Sequence, residues 1–297
     1  MKKWLTRALI VVLVLVSGGA AAIAYALHRA QERMDRRVDI PVYSLDIPAG
    51  AQAVERGRYL FSTRGCVDCH GADGAGRAFI DDGSMRVKGA NISPGPGNVV
   101  AKYTPADWER TLRHGVKPDG RPVLIMPSED YNRLTDADLG ALVAYIKQLP
   151  PAAGGAAEVV LPLRVLYGLG QVPDAASIID HTRKPPQPVA EGVTVEHGAY
   201  VSAMCIGCHG EGLSGGKVPG GAPDWPAAAN LTPGEGSVMP RYADAQALTT
   251  MMRQGKRPDG TAIKVMPFDS FKHISDIDLA ALYLYLKSVP ARPAGGR

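Results

Sequence analysis

The motif Gly65-Cys66-Val67-Asp68-Cys69-His70-Gly71 occurs a second time, with changes, as Met204-Cys205-Ile206-Gly207-Cys208-His209-Gly210. This repeated motif predicts the fold. The chain of 297 residues has 4 cysteines, and all of them lie in these Cys-x-x-Cys-His motifs. This spacing is typical of c-type haem attachment, in which each thiol forms a thioether to a haem vinyl group. The adjoining histidine binds the iron from one side. We therefore predict two haem c groups, held by Cys66, Cys69 and His70 and by Cys205, Cys208 and His209.

Three other uses of paired cysteines agree less well with the sequence. A structural zinc site takes its Cys-x-x-Cys pairs from one short region, whereas Cys66 and Cys205 are 139 residues apart. A thioredoxin-like redox motif needs a surrounding βαβ pattern, which this sequence lacks. Structural disulfides in an exported protein give no reason for a histidine to follow the second cysteine at both places.

The repetition extends beyond the cysteines and predicts the domain organisation. Further blocks return in the same order at an offset of 139 to 141 residues: Glu55 to Tyr59 as Glu196 to Tyr200, Asn91-Ile92-Ser93-Pro94 as Asn230-Leu231-Thr232-Pro233, Lys117-Pro118-Asp119-Gly120 as Arg257-Pro258-Asp259-Gly260, and Met126-Pro127 as Met266-Pro267. We predict tandem domains at 50–151, the first repeat, and 191–291, the second repeat. Apolar residues in the Pro-rich linker, 152–190, predict that it lies along the domain surfaces.

Each repeat ends in a predicted helix. Thr135 and Ser275 are expected N-caps with an acidic residue three positions later, and Pro150 and Pro290 stop the helices. Apolar residues at helical spacing predict one buried face in each helix: Leu139, Leu142, Val143, Ile146 and Leu149, then Leu279, Leu282, Tyr283, Leu286 and Val289. Because period-2 runs of convincing length are lacking, we predict an all-α fold with long loops.

The second axial ligand of each iron is predicted from the repeat. A methionine sulfur raises the reduction potential and suits electron transfer, whereas an open position suits ligand binding or catalysis. Met126 and Met266 each precede a proline, follow their haem motif and match in the repeat. The alternative for each is a core methionine that fills a gap. The competing methionines do not obey the repeat: Met85, Met204, Met239, Met251 and Met252.

Other residues carry weaker expectations. Gly57 and Gly198 lie in the first helix of each repeat and predict a close helix approach, with Tyr145 and Tyr285 packed there. Candidates for hydrogen bonds to haem propionates, with core or surface roles as the alternative, are Tyr103, Trp108, Arg113, Tyr242 and Arg253. The histidines without a repeat partner are expected on the surface or in loops: His114, His181, His197 and His273.

The N-terminal segment, residues 1–37, is a predicted membrane anchor. After Lys2, Lys3 and Arg7, residues 8–27 are uncharged, and 20 residues in a helix span about the 30 Å of a hydrocarbon core. The alternative is a signal peptide cleaved after Ala24-Tyr25-Ala26. Both interpretations export the rest of the chain. We expect a single-pass protein of the inner (cytoplasmic) membrane with its haem domains in the periplasm.

Charge and composition narrow the function. The chain has 45% hydrophobic and 21% charged residues, which suits globular folding. Of its 33 basic and 29 acidic residues, 7 and 2 lie in residues 1–37, which leaves 26 and 27 in the nearly neutral remainder. Because this remainder carries neither a basic patch nor interleaved aromatics and arginines, we do not expect a nucleic-acid partner.

Both repeats resemble class I cytochrome c domains, with a Gly-x-Tyr helix, the haem motif, a Met-Pro loop and a C-terminal helix. More narrowly, the chain resembles cytochrome c subunits of membrane-bound bacterial alcohol, gluconate and aldehyde dehydrogenases. The residues that carry this are Asn91 to Pro94, His114 to Arg121, Met126-Pro127, Tyr131 and Leu134 to Pro150, with Asn230 to Pro233, Gly255 to Gly260, Met266-Pro267 and the helix to Pro290 in the second repeat. Those subunits carry three haem domains and a C-terminal membrane segment, so this chain departs from their pattern.

We expect an electron-transfer protein and not an enzyme. A donor would reduce one haem, and the electron would pass to the other haem and on to an acceptor, while the protein supplies position and potential. The expected partners are a dehydrogenase subunit, a quinol-oxidising complex or a terminal oxidase. The enzyme alternative is a dihaem peroxidase, in which one iron lacks a tight methionine ligand. A gas sensor and a structural subunit without redox turnover are the remaining alternatives.

Overall fold

The computed structural model describes residues 2–81, 86–160, 162–219, 221 and 224–296, so Met85 lies outside the described residues. Helices dominate this part of the chain. They are α1 Lys2–Asp35, α2 Ala51–Thr63, α3 Cys66–His70, α4 Pro105–His114, α5 Ser128–Tyr131, α6 Asp136–Ile146, α7 Leu163–Gly168, α8 Ala175–Ile178, α9 Val195–Ser202, α10 Ile206–His209, α11 Ala245–Gln254, α12 Phe268–Phe271 and α13 Asp276–Ser288. Short 3₁₀ turns cover Ala203–Cys205 and Met239–Arg241.

A small antiparallel sheet accompanies the helices, so the predicted all-α class is incomplete. Its strands are β1 Ala78–Asp81, β2 Arg86–Lys88 and β3 Glu158–Val159, in the order β1-β2-β3. Strands of two to four residues are too short to give a period-2 signal. Because β3 belongs to the segment 152–190, this pairing fastens that segment to the first repeat.

Each repeat has its own hydrophobic core, built around its last helix. In α6, Leu139 and Leu142 are fully buried, and in α13 Leu279 and Leu282 are buried likewise. The predicted N-caps are confirmed, since Thr135 Oγ1 accepts from the Asp138 amide at 3.1 Å and Ser275 Oγ from the Asp278 amide at 3.0 Å. Capping and apolar spacing together place the buried face of each helix.

The first and last helices of each repeat approach closely at a glycine, as predicted. A Cβ added to Gly57 would lie 2.0 Å from the Ala141 carbonyl oxygen and 2.7 Å from Tyr145 Cβ. In the second repeat, a Cβ on Gly198 would meet the Ala281 oxygen at 2.0 Å and Tyr285 Cβ at 2.7 Å. The expected packing of both tyrosines is therefore confirmed.

Helix α1 has two distinct parts. Apolar side chains from Trp4 to Val16 are exposed, and this is the single helix of the described chain that is long and apolar enough to cross a membrane. Further along, Ala26 and Ala30 are buried at the contact with α7, where a Cβ on Gly168 would lie 1.8 Å from the Ala26 oxygen. The second part of α1 is thus docked on the linker.

We predict that Gly57→Ala and Gly198→Ala each lower the free energy of unfolding by about 2 to 3 kcal/mol. The added methyl group would clash with a backbone carbonyl of the last helix, which cannot rotate away as a side chain could. Denaturant unfolding of the haem-loaded protein, followed by circular dichroism, measures this. The matched control is Gly155→Ala, where a Cβ meets nothing within 4 Å. Equal stability of all three variants would contradict the packing described here.

Candidate haem sites

Helices α3 and α10 present the predicted haem-binding side chains. Cys66, Cys69 and His70 lie on the short helix α3, so the thiols stand one helical turn apart. In the second repeat, Cys205 ends a 3₁₀ turn and α10 carries Cys208 and His209. Positions i and i+3 of a helix share a face. In each motif, two thiols and a histidine therefore project from about one turn of helical backbone.

A backbone carbonyl fixes each motif histidine. Nδ1 of His70 donates to the Ala90 oxygen at 2.7 Å, and Nδ1 of His209 donates to the Ala229 oxygen at 2.8 Å. Because a carbonyl can only accept, the proton is on Nδ1, and Nε2 carries a lone pair that would be available to an iron. Burial also lowers the pKa of His70, which favours the neutral ring. The residues present therefore fit a haem iron in both repeats.

The repeated Asn-x-Ser/Thr-Pro block holds these carbonyls in place. Asn91 follows Ala90 directly, and its Nδ2 donates to the oxygens of Pro96 and Ala152, each at 2.9 Å. The matching Asn230 donates to the oxygens of Glu235 at 3.0 Å and Arg292 at 2.8 Å. Both asparagines are fully buried. In each repeat, the asparagine side-chain amide therefore holds together the loop whose carbonyl accepts the hydrogen bond from the motif histidine.

The surroundings of the cysteines bear on the alternative uses of the motif. None of the four forms a disulfide in the described chain. Burial raises the pKa of Cys66 and Cys205 to about 12 and that of Cys69 to about 11, which favours the protonated thiol. A protonated thiol is a poor metal ligand. Within the described residues, no group of three or more His, Cys, Asp or Glu is arranged to hold a metal ion.

The two Met-Pro loops have the same shape. The Met126 oxygen accepts from the Ser128 amide at 2.8 Å, and the Met266 oxygen from the Phe268 amide at 2.9 Å. Pro127 and Pro267 share φ of −78°, with ψ of 64° and 68°. Each methionine packs, half-buried, against the core that contains the first cysteine of its own repeat. This arrangement brings Met126 and Met266 to the same core as their predicted haem motifs.

The competing methionines that the structure describes have other surroundings. Met239, Met251 and Met252 are buried within the core of the second repeat, as gap-filling methionines are. The sulfur of Met204, which immediately precedes Cys205, accepts a hydrogen bond from Arg64 at 2.8 Å.

The proposed propionate partners are engaged by the protein itself. Arg113 is buried and donates to the oxygens of Asn132 and Leu134, and Arg253 donates to the oxygen of Lys272. Each arginine also pairs with the first residue of the last helix, Asp136 or Asp276, at 2.8 Å. Both arginines therefore tie the end of the methionine loop to the last helix. The aromatic candidates of this group that pack within the cores are Tyr103, Trp108 and Tyr242.

Two histidines were wrongly predicted to lie on the surface or in loops. His114 is buried, with Nδ1 of His181 at 3.0 Å and Glu109 at 3.2 Å. His197 is buried as well, and its Nε2 lies 2.7 Å from Asp278. One partner of each, His181 or Asp278, is 67 or 81 residues away in sequence, a separation that local sequence patterns do not reveal.

Comparison with known families agrees with this geometry. Residues 54–150 match the family model "Cytochrome c", and residues 196–286 match the model "Cytochrome C oxidase, cbb3-type, subunit III". The chain contains cytochrome c domains. Domains of this kind imply haem c as the cofactor of this cytochrome.

Individual proteins similar to this chain include cytochrome subunits of dehydrogenases. The cytochrome is 30% identical to the cytochrome c subunit of the quinone alcohol dehydrogenase of Gluconobacter oxydans, over 82% of this chain and 56% of that protein. It is 28% identical to the fructose dehydrogenase cytochrome subunit of Gluconobacter japonicus, over 84% and 56%. It is 27% identical to the gluconate 2-dehydrogenase cytochrome c subunit of Pantoea cypripedii, over 84% and 62%.

The predicted resemblance to such subunits is thereby confirmed as homology, although the chain spans a little over half the length of these relatives. The comparisons lend no support to the peroxidase alternative.

We predict that Asn91→Ala and Asn230→Ala each lower the free energy of unfolding by about 2 to 4 kcal/mol, because each removes a buried amide with four hydrogen bonds to its loop. Two are donated by Nδ2 to backbone carbonyls, and two are accepted by Oδ1 from the amide and hydroxyl of Ser93 or Thr232. Chemical denaturation of the haem-loaded protein checks this. Asn98→Ala is the control, since that half-buried side chain accepts one hydrogen bond, from the Val100 amide. A loss no larger than that of the control would show that the block does not hold the loop.

Proposed function

We propose that the cytochrome is a dihaem electron carrier whose two domains, 50–151 and 191–291, each bind one haem c. The first haem is held by Cys66 and Cys69 with His70 and Met126 as axial ligands. The second is held by Cys208 and Cys205 with His209 and Met266. The single observation that carries this is the recurrence of the same His-to-carbonyl bond and the same Met-Pro loop in both repeats.

The ligand set favours electron transfer over catalysis. When bound, haem c supplies a one-electron couple at its iron. With a histidine and a methionine as ligands, the iron would have no open coordination position and its reduction potential would be raised. The remaining task of the protein is to hold these ligands still. The carbonyls of Ala90 and Ala229 do so for the histidines, and the tight turns after Met126 and Met266 do so for the sulfurs.

We further propose a single-pass anchor in the inner membrane with the haem domains in the periplasm. The exposed apolar side chains from Trp4 to Val16 suit a lipid environment. Retention of the anchor is supported by the contact between α1 and α7, because cleavage after Ala26 would remove a buried residue. Arg36, which is kept in both interpretations, pairs with the fully buried Asp174 carboxylate and fastens the end of α1 to the linker. Burying an unpaired aspartate would be costly.

The proposed partners follow from the relatives, which are cytochrome subunits of dehydrogenases. A dehydrogenase subunit or a quinol-oxidising complex would donate electrons, and a downstream cytochrome or terminal oxidase would accept them. The near-neutral soluble region favours docking through small local contacts rather than one strongly charged patch.

We predict that Met126→Leu and Met266→Leu each remove about half of the weak red absorption band of the ferric Met-to-iron bond, because leucine has no sulfur to bind iron. Each variant should also lower the potential of one haem and let that ferrous haem bind carbon monoxide. The band, a redox titration and a carbon monoxide difference spectrum measure these effects.

Met239→Leu is the matched control, since Met239 also precedes a proline but lies within the core. It should leave the band and both potentials unchanged. A full band in Met126→Leu or Met266→Leu would contradict the assigned ligand, and a carbon monoxide-binding haem in the wild type would contradict the electron-carrier proposal.

A further inference from the structure

The two repeats touch each other next to their predicted haem ligands, and they do so reciprocally. Ser270, four residues after Met266, donates to Oδ2 of Asp68, which lies between Cys66 and Cys69, at 2.6 Å. In the other direction, Oδ1 of Asp130, four residues after Met126, accepts from the amide of Gly207, which lies between Cys205 and Cys208, at 3.2 Å. We call these hydrogen bonds the two bridges.

The bridges are shielded from water to different degrees. In the first, Ser270 is fully buried and Asp68 is 8% exposed. In the second, Asp130 and Gly207 are half-buried, and burial raises the pKa of the Asp130 carboxyl to about 8. Because the loss of a partner costs most where the remaining polar group is buried, the bridge from Ser270 is the more costly of the two to break.

A second pair of contacts repeats the same reciprocity further from the haem motifs. Tyr59 of the first repeat donates to Asp278 at 2.6 Å, and its hydroxyl accepts from the Ser275 amide at 3.0 Å. Tyr200 of the second repeat donates to Asp138 at 2.5 Å and accepts from the Thr135 amide at 3.3 Å. Each tyrosine thus joins the N-cap and the third residue of the other repeat's last helix. These outer contacts align the repeats, and the bridges then fix the loops.

We propose that Ser270 and Asp130 are positioning residues that hold the haem-attachment loop of each repeat against the methionine loop of the other, and so set the mutual geometry of the two haems and the electron exchange between them. This inference rests on the proposed dihaem function. Each bridge links the peptide to which one haem is bound to the loop that supplies the axial sulfur of the other. One electron moves in the exchange: the donor iron goes from ferrous to ferric and the acceptor iron from ferric to ferrous, with no bond made or broken.

The test uses the full-length protein with both haems. The Soret circular dichroism couplet reports the mutual orientation of two haems, and electron equilibration after flash photoreduction reports the rate between them. Ser270→Ala removes one donor and Asp130→Ala removes one acceptor. We expect each variant to diminish the couplet and to slow equilibration several-fold, while the haem content and the red methionine band stay as in the wild type.

Two variants separate positioning from general stability. Ser270→Thr keeps the hydroxyl and should restore the wild-type couplet and rate. Ser128→Ala removes another buried serine next to a methionine loop, but its hydroxyl donates to Thr111 within its own repeat at 3.1 Å, so this variant should resemble the wild type. Should Ser270→Ala fail to bind both haems, Asp130→Ala decides, because it removes only the acceptor of a backbone amide.

The proposal is overturned if Ser270→Ala and Asp130→Ala keep the wild-type couplet and rate, if Ser128→Ala changes them as much, or if a wild type with two haems shows no couplet. A wild type with fewer than two haems, or without the red band, would instead overturn the proposed function. The two failures are therefore distinct.

Discussion

The hydrogen bond from a buried histidine to a backbone carbonyl is the constraint on which the rest of the structure depends. It selects the tautomer of His70 and His209 and leaves Nε2 as the nitrogen that would bind an iron. The acceptor carbonyls are useful only if their loops are rigid. The buried amides of Asn91 and Asn230 supply that rigidity, because each donates to a carbonyl just after the last helix of its repeat. That last helix is itself packed on a glycine of the first helix.

Duplication explains why so many contacts occur in pairs. Each repeat contains one helix cap, one glycine contact, one methionine loop and one carbonyl acceptor for its histidine. The contacts between the repeats are reciprocal. The halves are not identical, however. Arg56 makes two hydrogen bonds of 2.7 Å to Asp138, whereas the matching His197 makes one to Asp278. Both carboxyl groups of the bridges, Asp68 and Asp130, belong to the first repeat, although one of them lies next to each predicted haem motif.

Local signals in the sequence predicted the parts of this account that local physics controls. Helix caps and apolar spacing lie within short windows, and the Cys-x-x-Cys-His spacing is itself typical of haem attachment. The glycine contacts join helices that are distant in sequence, but the recurrence of a glycine in the first helix of each repeat indicated them. The acceptors of the histidines were not predictable, because Ala90 and Ala229 act through backbone atoms; the repeated asparagine after each was the only trace of them. The bridges and the buried His197 join residues 77 to 202 positions apart. The strands are too short for any periodicity to reveal.

We propose that each repeat binds one haem through its own two cysteines, and intact mass spectrometry followed by peptide mapping of the purified protein is the decisive measurement. We expect a chain heavier by two haems, with one haem on the peptide that contains Cys66 and Cys69 and one on the peptide that contains Cys205 and Cys208. A chain with one haem, or with free thiols or a disulfide in either motif, would contradict it.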